Sequence, residues 1–297
     1  MKLGVIINQH AAHGRDESFA KDVHSGFAAH RIQVKIVFAH KKEIALAAQN
    51  LLRDGIDGLI AGGGDGTAST VAEYCVANKI PLGVLLLGTR NHFGRDLGLP
   101  TSMEESIACI ATGHTFRIDV GAVNGRTFLN NSSIGAYPHA VEEREELRSR
   151  FGLRKHVAGC IATLRTFAQH PLVNAEIEIG GRKMHCAGPF VFVGNNVYTV
   201  RLFSVNLRSS LSEGRICVYT TRANGVTGLF RMLWLSLFNR LEQSRDFEML
   251  CGTEAVIHLE KKSVKVSKDG EILRLNTPLR YVVLPKALQV FAPSPAT

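Results

Sequence analysis

Ala61-Gly62-Gly63-Gly64-Asp65-Gly66-Thr67 is the stretch whose residue types and spacing most directly imply chemistry. It follows an apolar run, Gly58 to Ala61, and precedes a helical pattern from Thr67 to about Ala77. Glycines let the backbone turn sharply and approach a ligand with no Cβ in the way. The free N–H groups of a newly started helix, reinforced by its dipole, attract an anion. The stretch therefore predicts a phosphate cradle. Asp65 inside such a cradle repels phosphate. Either a Mg²⁺ lies between the two, or the carboxylate serves to hold the loop. A glycine-rich strand-to-helix turn without a ligand is the competing reading, and Asp65 and Thr67 at these offsets weigh against it. Three neighbouring fingerprints fail. Ser69 stands where G-x-G-x-x-G, counted from Gly64, needs its last glycine. No Gly-Lys dipeptide occurs, so there is no Walker-type loop. Asn131-Ser132-Ser133-Ile134-Gly135 lacks the first glycine of a nucleophile elbow.

A second stretch, Leu87-Gly88-Thr89-Arg90-Asn91-His92-Phe93-Gly94-Arg95-Asp96-Leu97-Gly98-Leu99-Pro100, follows the next strand. Further along come Ile118-Asp119-Val120-Gly121, Phe192-Val193-Gly194-Asn195 and Lys268-Asp269-Gly270-Glu271. With these motifs the chain resembles the diacylglycerol kinase catalytic-domain family, which includes bacterial lipid kinases and sphingosine kinases. The family's signatures are G-G-D-G-T and L-G-T-x-N-D-F-A-R-D-L-G. The first is shared with NAD kinases and phosphofructokinases; the second is more specific. The resemblance spans nearly the whole chain. It implies an α/β nucleotide domain, then a β-sandwich, with the active site in the cleft between them. It also implies transfer of the ATP γ-phosphoryl group to the hydroxyl of a diacylglycerol-like lipid.

Carried over residue by residue, Gly63, Gly64, Asp65, Gly66 and Thr67 would cradle the phosphates. Asn8, Thr89, Asn91 and His92 would line the nucleotide site. Asp65 and Asp119 would organise Mg²⁺ directly or through water, and Glu271 would be the general base for the lipid hydroxyl. Phosphoryl transfer demands mainly positioning and charge neutralisation, so this sparse kit suffices. A base needs only to reach the hydroxyl proton at hydrogen-bond distance. Read without the family, a Glu beside an Asp-Gly turn is an ordinary solvated residue.

Several positions depart from the family pattern. The Asp of N-D-F is His92, which removes a carboxylate from the metal network or puts an imidazole against a phosphate. The usual N-P-x-x-G loop reads Asn8-Gln9-His10-Ala11-Ala12-His13-Gly14. Ser69 and Thr70 replace an Asn and a Glu after the phosphate loop. Glu213-Gly214 replaces the Asp-Gly of a second, structural metal site, with Glu213 as its candidate ligand.

These residues must be positioned by a scaffold, and the pattern supplies one. Leu3–Ile7, Val34–Phe38, Gly58–Ala61 and Leu82–Leu87 read as strands alternating with helical segments at 19–30, 44–52 and 67–77. Val84 to Leu87 is wholly apolar, as a strand buried on both faces requires. Ser102-Met103-Glu104-Glu105 has capping-box spacing. The pattern predicts a doubly wound α/β domain over 1–117. Beyond it, Asn124-Gly125, Gly180-Gly181 and Asp269-Gly270 each sit between short strands as two-residue hairpin turns. Residues 118–280 are thus predicted as a mainly antiparallel β domain with helical insertions near 141–169 and 225–243. Residues 281–297 are placed back on the first domain.

Composition bounds the partners. The 297 residues carry a net charge of +9, favouring anionic partners. No apolar run is long enough for a transmembrane helix, and the N-terminus reads as a strand rather than a signal peptide. Six scattered cysteines without a C-x-x-C pair indicate a reduced compartment, with neither a disulfide framework nor a zinc site. His10 and His13 have H-x-x-H spacing but lack further zinc ligands; they and Arg15 read as loop residues beside the nucleotide. Phe230, Trp234 and Phe238 mark either an interfacial lipid-admitting helix or a buried one. The charged segment 142–155 reads as a solvated ion-paired helix or as a basic edge facing lipid headgroups. The sequence expectation is an ATP- and Mg²⁺-dependent lipid kinase, cytoplasmic and peripheral at the inner membrane face. No nucleic-acid module is recognisable, and a homodimer is left open. The alternatives are an NAD kinase-like enzyme, disfavoured by the lack of an Asn-Glu dipeptide, and a weakened pseudokinase, favoured by His92.

Overall fold

The structure is a computed structural model that describes residues 1–11, 17–135, 172–198, 210–221 and 247–293. His13, Arg15, the segment 142–155, and the helical insertions expected near 141–169 and 225–243 lie outside these residues. The chain divides into two compact units, Met1–Val120 with Pro285–Thr297, and Gly121–Leu284.

In the first unit strands and helices alternate. They are β1 (Lys2–Asn8), α1 (Glu17–Ala29), β2 (Gln33–Ala39), α2 (Ile44–Arg53), β3 (Gly58–Gly63), α3 (Asp65–Asn78), β4 (Leu82–Leu86), α4 (His92–Asp96), α5 (Met103–Ala111) and β5 (Thr115–Val123). The sheet order is β2-β1-β3-β4, all parallel. Leu3, Val5, Ile6 and Ile7 of β1 are all fully buried, because parallel strands joined by helical crossovers are covered on both faces. Ile44, Ala47, Ala48 and Leu51 line one buried stripe of α2 at helical spacing. Ser102 caps α5 as expected, its Oγ accepting from the Glu105 N–H at 3.2 Å. Phe27, Ile60, Leu85, Ile107 and Phe291 share this unit's core. Truncating a ring such as Phe27 to alanine would cost about 3–5 kcal/mol.

The second unit is antiparallel. Its strands are β6 (Arg126–Phe128), β7 (Asn131–Gly135), β8 (Val173–Ile179), β9 (Arg182–Gly188), β10 (Phe190–Asn195), β11 (Ile216–Thr221), β12 (Phe247–Gly252), β13 (Glu254–Leu259), β14 (Ser263–Lys268), β15 (Glu271–Asn276) and β16 (Leu279–Phe291). One sheet runs β12-β11-β10-β7-β14-β15. In another, β9, β8, β13 and the first half of β16 pair in that order. Ile134, Val193, Val218 and Val266 of one sheet and Ile177, Ile257 and Tyr281 of the other enclose a single core. The three expected hairpins form, with Asn124-Gly125, Gly180-Gly181 and Asp269-Gly270 all at positive φ, as two-residue turns of this kind demand. The end of β16 belongs to the first unit, where Val290 pairs in parallel with Leu82 of β4.

The expectation of no disulfide is corrected. Cys217 of β11 and Cys251 of β12 are bonded, with Cα atoms 4.1 Å apart. They face each other directly in the antiparallel register, a juxtaposition that 34 residues of separation hide from sequence spacing. Cys75, Cys109 and Cys186 form no disulfide. Among the described residues, no helix is long and apolar enough to cross a membrane.

Candidate active site

The glycine-rich stretch begins where β3, buried along its whole length, runs out at Gly63. Gly64 is extended, and α3 starts at Asp65. The Thr67 and Ala68 N–H groups both return to the Gly64 carbonyl, at 3.0 and 3.1 Å. The Asp65 and Gly66 N–H groups find no acceptor among the described residues, as expected for the first turn of a helix. Gly66 is open: nothing would lie within 4 Å of a Cβ there. Two donors and the positive end of a fourteen-residue helix are thus presented together. Thr67 also has a structural part in the loop. Its side chain is buried over Gly63, and its Oγ1 accepts from Asn8 Nδ2 at 3.0 Å. Asn8 Oδ1 in turn accepts from the His10 N–H at 3.1 Å. The hydroxyl and the amide brace the loop from below.

The second motif closes on the first. A Cβ on Gly88 would collide with Gly64 Cα, so the two backbones touch. This contact is what a glycine at 88 permits. The Leu87 N–H donates to the Gly63 carbonyl at 3.1 Å, continuing the pairing of β3 with β4. Asn91 adopts the left-handed conformation, φ +51°, while its Nδ2 donates to the Gly88 carbonyl at 2.8 Å. Asp65 Oδ1 accepts from the Phe93 N–H at 2.9 Å. The carboxylate therefore ties the start of α3 to α4, the short helix of the second motif. Asn91 Oδ1 and His92 Nδ1 are buried with no hydrogen-bond partner among the described residues. Such orphans are costly and need a reason. Burial pushes the His92 imidazole below its ordinary pKa, with Arg90 acting in the same direction and Asp65 opposing, so its neutral form is favoured. Thr89 is exposed on the connecting turn.

Within the first unit the structure thus joins Asn8, Gly63, Gly64, Asp65, Gly66, Thr67, Asn91 and His92 through these contacts. The donor set fits an anion such as the phosphates of a nucleotide: N–H groups without acceptors at a helix start, and a His92 Nδ1 that donates in one tautomer; Asn91 Oδ1 is an acceptor and calls for a donor or a cation. Metal donors are sparser. Asp65 keeps Oδ2 for a cation. Asp119 is almost completely buried in β5, and its Oδ1 accepts from the Lys286 N–H at 2.9 Å, which pins the chain just after the unit boundary in β16. Among the described residues no group of three or more His, Cys, Asp or Glu gathers to hold an ion. Glu213, in the second unit, pairs with Arg215 Nε at 3.2 Å.

In the second unit, Glu271 opens β15 directly after the Asp269-Gly270 turn. Its register partner is Lys268, which is only 2% exposed. Directly opposed residues project to the same side of the sheet, so the Glu and the buried Lys share a face. The turn itself is anchored. Asp269 Oδ2 accepts from the Leu129 N–H at 2.7 Å, and Oδ1 from the Asn130 and Asn131 N–H groups at 2.8 and 3.1 Å. Asn195 Nδ2 donates to the Leu129 carbonyl at 2.8 Å, fixing from another strand the segment to which the turn is anchored. Sequence reasoning missed the anchoring role of Asp269. An Asp-Gly turn accounted for the residue fully, and nothing in the spacing pointed to a partner 140 residues away.

Comparison with known proteins agrees with the motifs. Residues 2–123 match the family model of the diacylglycerol kinase catalytic domain. A diacylglycerol kinase of Staphylococcus aureus is 25% identical over 256 residues, 85% of this chain and 79% of that protein. An uncharacterised Synechocystis protein is 29% identical over 262 residues, again 85% of this chain; the match spans only 58% of that protein's length. A crystal structure of a diacylglycerol kinase from Bacillus anthracis superposes with a TM-score of 0.74 at 23% identity, covering 98% of this chain and 97% of that one. That last likeness is one of fold.

Proposed function

We propose that this chain, which resembles the diacylglycerol kinase catalytic-domain family, transfers the γ-phosphoryl group of ATP to the hydroxyl of a diacylglycerol-like lipid. The observation that carries the reading is the Asp65 carboxylate tied to the Phe93 N–H, beside unclaimed helix N–H groups and two buried polar atoms without partners. A ligand with several negatively charged oxygens satisfies the N–H groups and, as its Nδ1–H tautomer, His92, while the Asn91 amide oxygen would take a cation that accompanies that charge. The Asp65 and Gly66 N–H groups take phosphate oxygens. The tight Gly64–Gly88 contact keeps the loop from giving way under that charge. Asp65, with Asp119 directly or through water, would hold Mg²⁺, which would supply charge neutralisation. Glu271 accepts the proton of the lipid hydroxyl. The lipid hydroxyl oxygen then bonds to the γ-phosphorus as the bond from that phosphorus to ADP breaks. The acceptor is a membrane lipid, so the chain works as a peripheral protein at the cytoplasmic face of a membrane, and its net charge of +9 favours an anionic surface.

The test offers the purified protein and labelled Mg²⁺-ATP to diacylglycerol, a sphingoid base, phosphatidylglycerol and NAD. Label on a lipid, lost in Asp65→Asn and in Glu271→Gln, supports the reading. Label on NAD replaces it with a soluble-substrate kinase, and no transfer to any acceptor, with nucleotide still bound, makes the chain a binding protein.

A further inference from the structure

Position 92 sets this chain apart from the family pattern, and the structure shows what the exchange alters. His92 opens α4 directly before Phe93, whose N–H holds Asp65 Oδ1. The imidazole Nδ1 is buried and has no hydrogen-bond partner among the described residues. A buried ring nitrogen left alone is costly, and a ligand that supplies its partner recovers that cost.

The charges around His92 are balanced. Asp65 and Asp96 act on it from the acidic side, Arg90 and Arg95 from the basic side. The two pairs cancel, and an imidazole whose neutral form is favoured by burial adds no charge of its own. A carboxylate at 92, as in the family pattern, would leave one negative charge in surplus beside the phosphate loop. Phosphates arriving there would then need a divalent cation to precede or accompany them. The imidazole removes that surplus and offers a donor in its place. The remaining carboxylates are partly engaged: Asp65 Oδ1 and Asp119 Oδ1 accept from the Phe93 and Lys286 N–H groups, each at 2.9 Å. The Asp65 and Gly66 N–H groups meanwhile have no acceptor among the described residues. Among those residues the site is thus better supplied with donors for phosphate oxygens than with ligands for a cation.

We propose that His92 Nδ1 donates to a phosphate oxygen of the nucleotide, so that this chain captures a nucleoside triphosphate without a divalent metal and the metal joins afterwards. The inference rests on the nucleotide site proposed above and deepens it by setting the order of binding. The metal keeps its part in the transfer and loses its part in capture.

Equilibrium dialysis of the full chain against labelled ATP, in EDTA and separately in Mg²⁺, tests it. The two dissociation constants should agree within about threefold. In EDTA, tripolyphosphate should displace ATP and adenosine should not, which assigns the affinity to the phosphates. His92→Phe, which keeps a ring and loses the donor, should weaken ATP in EDTA by at least about tenfold. His92→Asn, whose amide nitrogen takes the place of Nδ1, should retain most of that affinity. His92→Asp should make binding metal-dependent, severalfold tighter in Mg²⁺ than in EDTA. Melting curves show whether each variant is folded, and His92→Asn and His92→Asp carry the test if His92→Phe is not. ATP bound only with Mg²⁺, displacement by adenosine instead of tripolyphosphate, or unmoved affinity in His92→Phe would each overturn the inference and leave the nucleotide site standing. So would a loss in His92→Asn as large as in His92→Phe, or metal-independent binding in His92→Asp. Failure to bind ATP in either buffer would remove both the inference and the site.

Discussion

The glycine loop of the first unit and the Asp269-Gly270 turn of the second are both tight turns around an aspartate, and they handle polar groups in opposite ways. At the loop, groups are left unsatisfied: the Asp65 and Gly66 N–H groups, Asn91 Oδ1 and His92 Nδ1 lack partners among the described residues. At the turn, the aspartate is heavily engaged, with one carboxylate accepting from three successive N–H groups. The first arrangement is stable only if something else completes it. The second completes itself and thereby fixes the residue that follows, Glu271. The proposed roles follow that difference: a loop that leaves groups open has something to offer a ligand, and a turn that closes on itself holds its neighbours still.

That contrast can be broken experimentally. The largest effect is expected at the chemistry. Asp65→Asn and Glu271→Gln should each lower the rate of phosphoryl transfer by at least about a hundredfold, measured with labelled ATP, while urea unfolding shifts little. Retained transfer in Glu271→Gln would remove the turn from the catalytic machinery and leave it a structural feature. Next, reducing the Cys217–Cys251 bond, or replacing both residues by serine, should lower stability by about 2–4 kcal/mol, since it releases a loop of 34 residues in the unfolded chain. Paired denaturation curves with and without a thiol reductant check this.

Asp269→Ala should cost about 2–3 kcal/mol of unfolding free energy, because it strands N–H groups that a charged acceptor now satisfies. If the turn does present Glu271, the same change lowers kcat more than KM; an equal loss in both would mean that the anchor serves stability alone. Gly88→Ala should cost about 1–3 kcal/mol by forcing the two loops apart, and should weaken nucleotide binding in parallel. A variant that melts lower but binds ATP as before would show that the Gly64–Gly88 contact does not shape the cradle. The smallest expected change is His92→Asp. It restores a carboxylate beside Asp65 and should tighten Mg²⁺ dependence severalfold, read from the metal concentration at half-maximal transfer.

Much of this architecture was legible in the residues themselves. The parallel strands, the capped helix at Ser102 and the three hairpin turns follow from local rules, because alternation, capping and positive-φ preference act over a few residues. The short helix over His92–Asp96 was not anticipated, since five residues carry too little periodicity to register. The glycine loop and its partner motif were visible as types and spacings. Their contact was not, because it is made by backbone atoms that any pair of loops possesses.

What the chain order alone determined, then, is which segments are strands, where they turn, and which short stretches combine glycines with an aspartate and amides at turn spacing. Tertiary structure decided the rest: that Cys217 lies opposite Cys251, that Asp269 anchors a turn in a distant segment, that Asp119 holds Lys286, and that Lys268 is buried beside Glu271 in register. The physical reason is range. Conformational preference is a property of a few adjacent residues. Pairing, burial and the satisfaction of polar groups depend on which distant segments the folded chain brings side by side.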